Sequence, residues 1–430
     1  MSNSSPTTPW MTWHKIAFRF LFLFLGIFAI TYGIAPILFT LKFGYSSIEK
    51  MFGTLSKPLH WLDKHIYHIG YDPAKHDNIP GDDYCGLVYF LTLFILSWVV
   101  CAIWSWVDRK RNDYDRLYYW FRVYLRYTIA IIMFWYGIMK LIPVQMGYPD
   151  AEDLLKTIGE QSREDIVWNF MGVSPVYQMF TGSCEVIASL LLLFRRTYLF
   201  GSLFMCGILS NVVMINIWYN IQVKIYSSLL LVCVLFLLAP YFPRFVQLFF
   251  YQRAVMLNEK YYTIQNRLAR WIFQSLVGLF ICYLFISMTI GNYKFHKRSV
   301  APNERGKIYE VVSFVAGDTL APLLTDTLRW RRLVLNDEED AVVYNMKEIK
   351  GHYVYAVDSA KKTFTFHNNP DSVTWNIFHY SYPEKETLLL SGKWKNKEVS
   401  ILMKEKPLDS MVLNKERIML VREDILTAAQ

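Results

Sequence analysis

Residues 84–107 read YCGLVYFLTLFILSWVVCAIWSWV, a stretch of 24 residues without a charged side chain. Because a helix rises 1.5 Å per residue, about 20 apolar residues cross the roughly 30 Å hydrocarbon core of a bilayer. A helix also satisfies its own backbone hydrogen bonds, which lipid cannot do. The stretch therefore predicts a transmembrane helix.

Six further apolar runs are long enough to cross a bilayer, and all of them lie within the first 291 residues. They are 16–41, 118–143, 175–194, 198–218, 223–241 and 271–291. The first resembles a secretory signal, but its apolar core is too long and no clear small-residue cleavage site follows it. We therefore expect residues 1–291 to form an α-helical polytopic membrane bundle of about seven transmembrane helices.

Residues 292–430 have a different pattern, in which short segments rich in Val, Ile, Tyr, Phe and Thr alternate with turn residues. The segments are 308–314, 328–335, 341–346, 352–358, 362–367, 376–381, 386–391 and 397–403. About eight strands in succession predict an all-β meander that forms a barrel-like or sandwich domain. Its interior is either a packed core or a lipocalin-like cavity for an apolar ligand.

Basic side chains are concentrated in the short connections between the predicted spans. They are Arg109, Lys110, Arg111 and Arg116, then Arg195 and Arg196, and then Arg244, Arg253, Lys260, Arg267 and Arg270. Short basic connections face the cytoplasm. With seven spans, the N-terminus is then cytoplasmic and the domain 292–430 is exterior. The excess basic charge is better explained by this topology than by nucleic-acid binding.

Cysteine and histidine usage argues against several redox centres. The six cysteines form no C-x-x-C pair, and no histidine lies within a predicted span, so we expect neither an iron–sulfur cluster nor a haem. His60, His65, His68 and His76 lie between the first two spans, where His65 and His68 could share a helix face and bind a metal. The interleaved aromatic residues favour a helix at the membrane interface, and we predict no metal site.

Charged and amide side chains inside the spans are costly and point to a functional site. We select Lys140 and Glu185 as catalytic residues, and Trp135, Tyr136, Asn211, Asn216 and Lys224 as ligand-binding residues. They are expected to line one cavity that opens to the outside. The alternative is that Lys140 and Lys224 extend to the interface and that Glu185 is a structural contact between helices.

Two geometric expectations accompany this site. If the third span ends and the fourth span begins at the outer boundary of the membrane, Glu185 lies about 15 Å below that boundary and Lys140 about 5 Å below it. The two side chains would then share a cavity without having to touch. Arg122 and Arg126, at the other end of the third span, are expected to extend to the interface as anchors.

Part of the chain resembles the DoxX family. The element Tyr136-Gly137-x-x-Lys140-Leu141 is followed by an acidic loop and by Glu185 before Leu190–Leu193, and Arg195–Thr197, Asn216, Val223-Lys224 and Pro240 continue the similarity. It covers about residues 118–242. With its β-rich tail, the chain is similar to long DoxX-like proteins of Bacteroidetes-type bacteria. The resemblance implies association with thiosulfate:quinone oxidoreductase subunits and membrane redox complexes. It also implies the bacterial cytoplasmic (inner) membrane, in which the topology predicted from the basic loops places the C-terminal domain in the periplasm.

A fainter resemblance links the bundle to the transmembrane domain of vitamin K-dependent carboxylases. In those enzymes a catalytic lysine deprotonates a hydroquinone, and the matching position here is Lys140. An amine in a partly apolar cavity is a suitable base for such a step.

These observations predict an integral membrane component of a quinone-linked oxidoreductase. A quinone-like molecule would lie in the outer half of spans three to six, with Lys140 as base or anchor and Glu185 as its orienting partner. Asn211 and Asn216 would donate to a carbonyl, and Trp135 and Tyr136 would stack on the ring. The expected partners are the bilayer and a redox or periplasmic protein. The alternative is a non-catalytic scaffold or assembly factor whose exterior β domain binds a partner, and a transporter is a weaker third because no inverted repeat is evident.

Overall fold

The computed structural model describes residues 9–35, 46–75, 81–256, 262, 266–299, 306–336, 340–367, 376–411 and 413. The chain divides into two compact units, which are described separately. The helical unit comprises residues 1–145 and 175–295, and the β unit comprises residues 146–174 and 296–430.

Ten α-helices occur among the described residues. They are α1 (Thr12–Phe28, continued by a π-helical segment, Ala29–Ile34), α2 (Ser46–Leu62), α3 (Tyr84–Val107), α4 (Asp115–Leu141), α5 (Arg163–Gly172), α6 (Pro175–Leu193), α7 (Tyr198–Trp218), α8 (Lys224–Leu238), α9 (Phe242–Phe249) and α10 (Arg267–Ser299). All but α5 lie wholly or mainly in the helical unit.

Six helical segments are long and apolar enough to cross a membrane, which confirms the predicted membrane bundle. They are Thr12–Gly33, Tyr84–Val107, Pro175–Leu193, Tyr198–Trp218, Lys224–Phe249 and Arg267–Lys297. The predicted span 118–143 corresponds to α4, which has 27 residues and a length of about 40 Å. Charged residues toward both of its ends lower its mean hydropathy, so it is not one of the six.

Helix α4 is the central helix of the candidate site because several helices pack around it. Residues 128–134 are buried without interruption, as expected for a helix that is covered on all sides. At the start of α4, the hydroxyl of Tyr114 accepts a hydrogen bond from Nε of Arg19 on α1 (2.9 Å) and donates to Asp108 Oδ2 (2.7 Å). This network fixes α1 against the connection between α3 and α4.

The β unit contains a closed antiparallel barrel of eight strands, which confirms the predicted barrel-like meander. The strands are β1 (Lys307–Ala316), β3 (Trp330–Leu335), β4 (Asp340–Asn345), β5 (Lys350–Asp358), β6 (Thr363–His367), β7 (Asn376–Ser381), β8 (Thr387–Trp394) and β9 (Lys397–Lys406), with a two-residue strand, β2 (Asp318–Thr319), paired to the end of β1. Each strand of the barrel pairs with the next, and β9 pairs with β1 from Ile308↔Lys406 to Val315↔Ser400.

Aromatic rings occupy the interior of the barrel. The ring centroid of Trp330 lies 4.9 Å from that of Trp394, 5.9 Å from Phe378 and 6.1 Å from Phe366. All four side chains are buried. Such mutually packed rings favour the packed-core alternative over a cavity for an apolar ligand.

Residues 146–174 belong to the β unit although the predicted boundary between the two domains lies at residue 291. Ala151 is fully buried in a small apolar cluster with Ile308, Val334, Val342 and Tyr344 of the barrel. Glu152 Oε1 also lies 3.4 Å from Lys350 Nζ. The connection between α4 and α6 therefore covers one side of the barrel.

Candidate functional site

The candidate site begins with a polar stripe on α6. Proline occupies the first position of the helix, where its missing N–H leaves no hydrogen bond unmade. Gln178, Glu185 and Ser189 follow at spacings of seven and four residues, and the spacings place them on one face. All three are buried, Glu185 to 2% exposure, so this face is directed into the bundle.

A glycine contact brings this stripe against α4. A Cβ atom added at Gly182 would lie only 2.5 Å from the backbone nitrogen of Leu141 and 2.6 Å from the carbonyl oxygen of Gly137. A Cβ atom added at Gly137 would lie 3.0 Å from the Cβ of Glu185. Small residues allow membrane helices to approach this closely. The contact places Lys140 and Glu185 side by side.

Lys140 and Glu185 form a direct ion pair between α4 and α6. The ammonium Nζ donates to Oε1 of Glu185, and the two side chains are 10% and 2% exposed. The second carboxylate oxygen, Oε2, is buried and has no hydrogen-bond partner among the described residues. Pairing offsets part of the desolvation of both charges, but a carboxylate oxygen with no donor is costly.

The expected difference in depth between Lys140 and Glu185 is wrong because α4 and α6 are shifted along their axes. Gly182, the eighth residue of α6, lies beside the last residues of α4. The start of α6 therefore extends about seven residues, or roughly 10 Å, past that level. This shift equals the gap that the sequence estimate left between the two groups.

The two aromatic candidates lie on α4 near the pair, and both are half-buried. Tyr136 is one turn before Lys140, which places both on the same side of the helix. Its ring centroid lies 6.2 Å from that of Tyr226 on α8. Trp135 packs against the apolar core of the helical unit.

Among the described residues, no hydrogen bond or ion pair joins the remaining candidates to Lys140 or Glu185. Asn216 is buried and donates from Nδ2 to Ser227 Oγ (3.0 Å), which joins α7 to α8. Lys224 Nζ lies 3.6 Å from Asp82 Oδ2. Asn211 is exposed, so the expectation that it lines the cavity is wrong. Five residues turn a helix through about 140° beyond a full turn, so Asn211 and Asn216 face different directions.

Two adjacent aspartates that sequence reasoning missed hold the helix starts near this end of the unit. The carboxylate of Asp82 accepts from the backbone N–H groups of Lys224 and Ile225, the latter at 3.0 Å, and so caps α8. Asp83 caps α3 by accepting from Gly86 N (2.8 Å). For Asp83 the signal was present, because an acid immediately before an apolar run is a characteristic N-cap. The contact of Asp82 with α8 spans 142 residues of the chain and has no local signal.

Arg122 and Arg126 are not interfacial anchors. Both are buried, with 8% and 7% of their surface exposed. The snorkelling expectation is wrong here because the start of α7 and the end of α8 cover this face of α4. Arg122 instead donates from Nη2 to the carbonyl oxygen of Leu237 (3.0 Å).

The histidines between the first two spans make local contacts. His60 Nδ1 lies 2.7 Å from the carbonyl oxygen of Tyr71, and His65 Nδ1 lies 2.8 Å from that of Trp61. A helix is present here as α2, and a π-helical segment, Asp63–Tyr67, continues it. His68 follows this segment in a left-handed backbone conformation, so His65 and His68 do not share a helix face as expected. His76 lies outside the described residues.

A group of potential metal ligands occurs in the β unit. Glu152, Asp340 and His352 have ligand atoms within 4.8 Å of one another. Lys350 already supplies a positive charge to Glu152 at 3.4 Å. The group therefore has a cationic partner from the chain itself.

Comparison with known proteins identifies a bacterial relative. The uncharacterized protein YwoB of Bacillus subtilis (strain 168) is 35% identical to this chain over 113 residues, which are 26% of the chain and 71% of the relative. No family profile matches the chain. No solved structure matches it either.

Proposed function

The chain belongs to the family of YwoB, whose name states no activity, and we propose from the site itself that the Lys140–Glu185 pair binds a quinone-like, lipid-soluble molecule. In this proposal the protein is a redox-associated membrane component, in keeping with its resemblance to DoxX proteins over residues 118–242. A lipid-soluble ligand dissolves in the bilayer. It would therefore reach the pair from the bilayer, because Lys140 and Glu185 lie on helices of the predicted membrane bundle.

The observation that carries the proposal is the buried Oε2 atom of Glu185, which has no partner among the described residues. A hydroquinone has hydroxyl groups that donate to a carboxylate, and a quinone has carbonyl oxygens that accept from an ammonium group. Glu185 Oε2 and Lys140 Nζ offer these two functions side by side. Tyr136, one turn from Lys140, is the aromatic residue best placed to contact a ring. A bound quinone would supply the redox chemistry that side chains lack.

Extraction of the purified full-length protein with organic solvent tests this proposal. We expect a stoichiometric quinone in the wild-type extract, identified by mass spectrometry. Lys140→Met and Glu185→Gln should reduce it at least about tenfold, since each removes a charge-assisted hydrogen bond. Lys110→Met, which removes an exposed basic residue between α3 and α4, is the matched control. Equal quinone content in all four proteins would contradict the proposal.

The second candidate function is a non-catalytic scaffold, and the glycine contact between α4 and α6 favours it. There the ion pair is a structural joint between two closely packed helices, and the β unit binds a partner. A purely structural pair can be replaced by two apolar residues without loss of function. Recovery of full cellular function in a Lys140→Met/Glu185→Met double variant would support the scaffold.

For orientation, we propose a bacterial inner-membrane protein with a cytoplasmic N-terminus and an exterior β unit. Arg109, Lys110 and Arg111 between α3 and α4 support this direction through the preference of short basic loops for the cytoplasm. The proposal treats α4 as a seventh crossing, since its length of about 40 Å exceeds the hydrocarbon thickness.

A further inference from the structure

A cavity with acidic and aromatic walls lies in the β unit, within the connection between α4 and α6. Its volume is about 290 Å³, at the lower end of the range of small-molecule sites. Its lining residues all lie between residues 147 and 169, so it is separate from the Lys140–Glu185 pair of the helical unit. Among the described residues no basic side chain lines it. Its walls carry four carboxylates and two aromatic rings, from Asp150, Asp153, Glu164, Asp165, Tyr148 and Trp168.

The fold explains two of the four carboxylates. Asp165, in the first turn of α5, accepts a hydrogen bond from the backbone N–H of Ser162 (3.0 Å), and its own N–H donates to Ser162 Oγ (3.0 Å). These two bonds form a capping box at the start of the helix. Asp153 Oδ1 lies 2.7 Å from Lys156 Nζ, and the two groups form an ion pair. Both carboxylates therefore have a role within the connection itself.

The other two carboxylates, Asp150 and Glu164, have no cationic partner. Both are half-buried, and neither forms an ion pair among the described residues. Asp150 Oδ1 accepts from the backbone N–H of Asp153 (2.7 Å), but burial and the charges of Asp153 and Glu152 raise the pKa of the Asp150 carboxyl above its ordinary value. The Glu164 side chain has no hydrogen-bond partner within the described part of the chain. A cation in the cavity would stabilise both groups.

The spacing of the carboxylates distinguishes an organic cation from a metal ion. A metal ion draws its ligand atoms together, at about 2.0–2.6 Å from its centre. Among the described residues, only Glu152, Asp340 and His352 bring three potential ligand atoms within 4.8 Å of one another, and none of these three lines the cavity. The acids of the cavity are therefore too far apart for three of them to bind one ion. A chain of carbon atoms that carries several ammonium groups can reach separate carboxylates.

We propose that the cavity binds a small organic polyamine, with Asp150 and Glu164 as the partners of two of its ammonium groups. An ammonium group donates charge-assisted hydrogen bonds to a carboxylate, and these are stronger than bonds between neutral groups. The aromatic rings of Tyr148 and Trp168 in the same lining attract a cation to their faces and cover the methylene groups between the charges. The site lies in the β unit and does not depend on quinone binding by the Lys140–Glu185 pair.

Isothermal titration calorimetry of the purified full-length protein in an uncharged detergent tests the proposal, with spermidine as the titrant. Low ionic strength is used because salt screens half-exposed charges. We expect saturable binding of spermidine to the wild type, and we expect it to persist when magnesium chloride is present at the same concentration as spermidine. The absence of saturable binding, or its loss in magnesium chloride, would overturn the proposal.

Variants show whether spermidine binds in this cavity. Glu164→Gln should weaken the affinity at least about tenfold, because it removes a charge-assisted hydrogen bond. This variant should fold, since the Glu164 side chain makes no hydrogen bond among the described residues. Trp168→Leu should weaken the affinity about twofold to fivefold through the lost contact between cation and ring. Glu160→Gln, an exposed acid of the same connection outside the cavity lining, is the matched control and should retain wild-type affinity. Wild-type affinity in Glu164→Gln, or equal weakening in Glu160→Gln, would overturn the proposal.

Discussion

Replacing Lys140 and Glu185 by methionine, singly and together, tests whether the two charges form a buried ion pair. The two side chains are 10% and 2% exposed, so each single change leaves one charge buried without its partner. Removing one member of a buried pair typically costs about 3–5 kcal/mol. Replacing both by apolar residues of similar volume is often neutral or stabilising, so we expect the double variant to recover most of the lost stability.

Unfolding titrations with denaturing detergent, followed by tryptophan fluorescence, measure these differences. Lys156 and Asp153 form a control pair, because their side chains are 22% and 28% exposed and lie in the β unit. Lys156→Met should therefore cost no more than about 1 kcal/mol. Single variants of Lys140 and Glu185 with wild-type stability, or a double variant less stable than both, would refute the buried-pair geometry.

Three further predictions follow from the structure. Gly182→Ala should destabilise the helical unit by at least about 1–3 kcal/mol, because the added Cβ atom meets backbone atoms of α4. Gly207→Ala is the control and should be tolerated, because a Cβ atom there meets nothing within 4 Å. Equal effects of the two variants in thermal unfolding would contradict the close contact. Burial raises the pKa of Tyr309 above its ordinary value near 10, so the unfolded state loses this proton first and stability falls as the pH rises above about 10. Tyr309→Phe should reduce that slope by up to about 1.4 kcal/mol per pH unit in alkaline unfolding titrations, and an unchanged slope would exclude this tyrosine as its cause. A cysteine at Ser359, with the six native cysteines replaced, should react with an impermeant maleimide in intact cells; labelling only after permeabilisation of the inner membrane would reverse the proposed topology.

Local sequence patterns predicted most of the secondary structure because length and periodicity are local properties. Uncharged runs such as 84–107 became membrane-length helices, and period-two segments such as 397–403 became barrel strands. The burial of Arg122 and Arg126 was missed because it depends on which helices cover α4. The place of residues 146–174 was missed for the same reason, since their contacts lie more than 130 residues away in the sequence.

The candidate site was predicted in part. Lys140 and Glu185 stood out as charges within apolar runs, but their direct contact depends on the shift between α4 and α6, which hydropathy does not report. Gly137 and Gly182 were the available signal, because each permits a close helix approach on the face that carries the charge. Asn211 was misassigned because one polar residue does not define the rotation of an otherwise apolar helix.

Equilibrium binding of a short-chain quinone to the purified full-length protein tests the central claim most directly. Decylubiquinone would be titrated into the delipidated wild type and into the Lys140→Met/Glu185→Met variant, after thermal unfolding has shown that both proteins are folded. The Lys140–Glu185 site predicts saturable binding to the wild type and at least about tenfold weaker binding to the double variant. Equal binding to both proteins, or no saturable binding to the wild type, would contradict the claim.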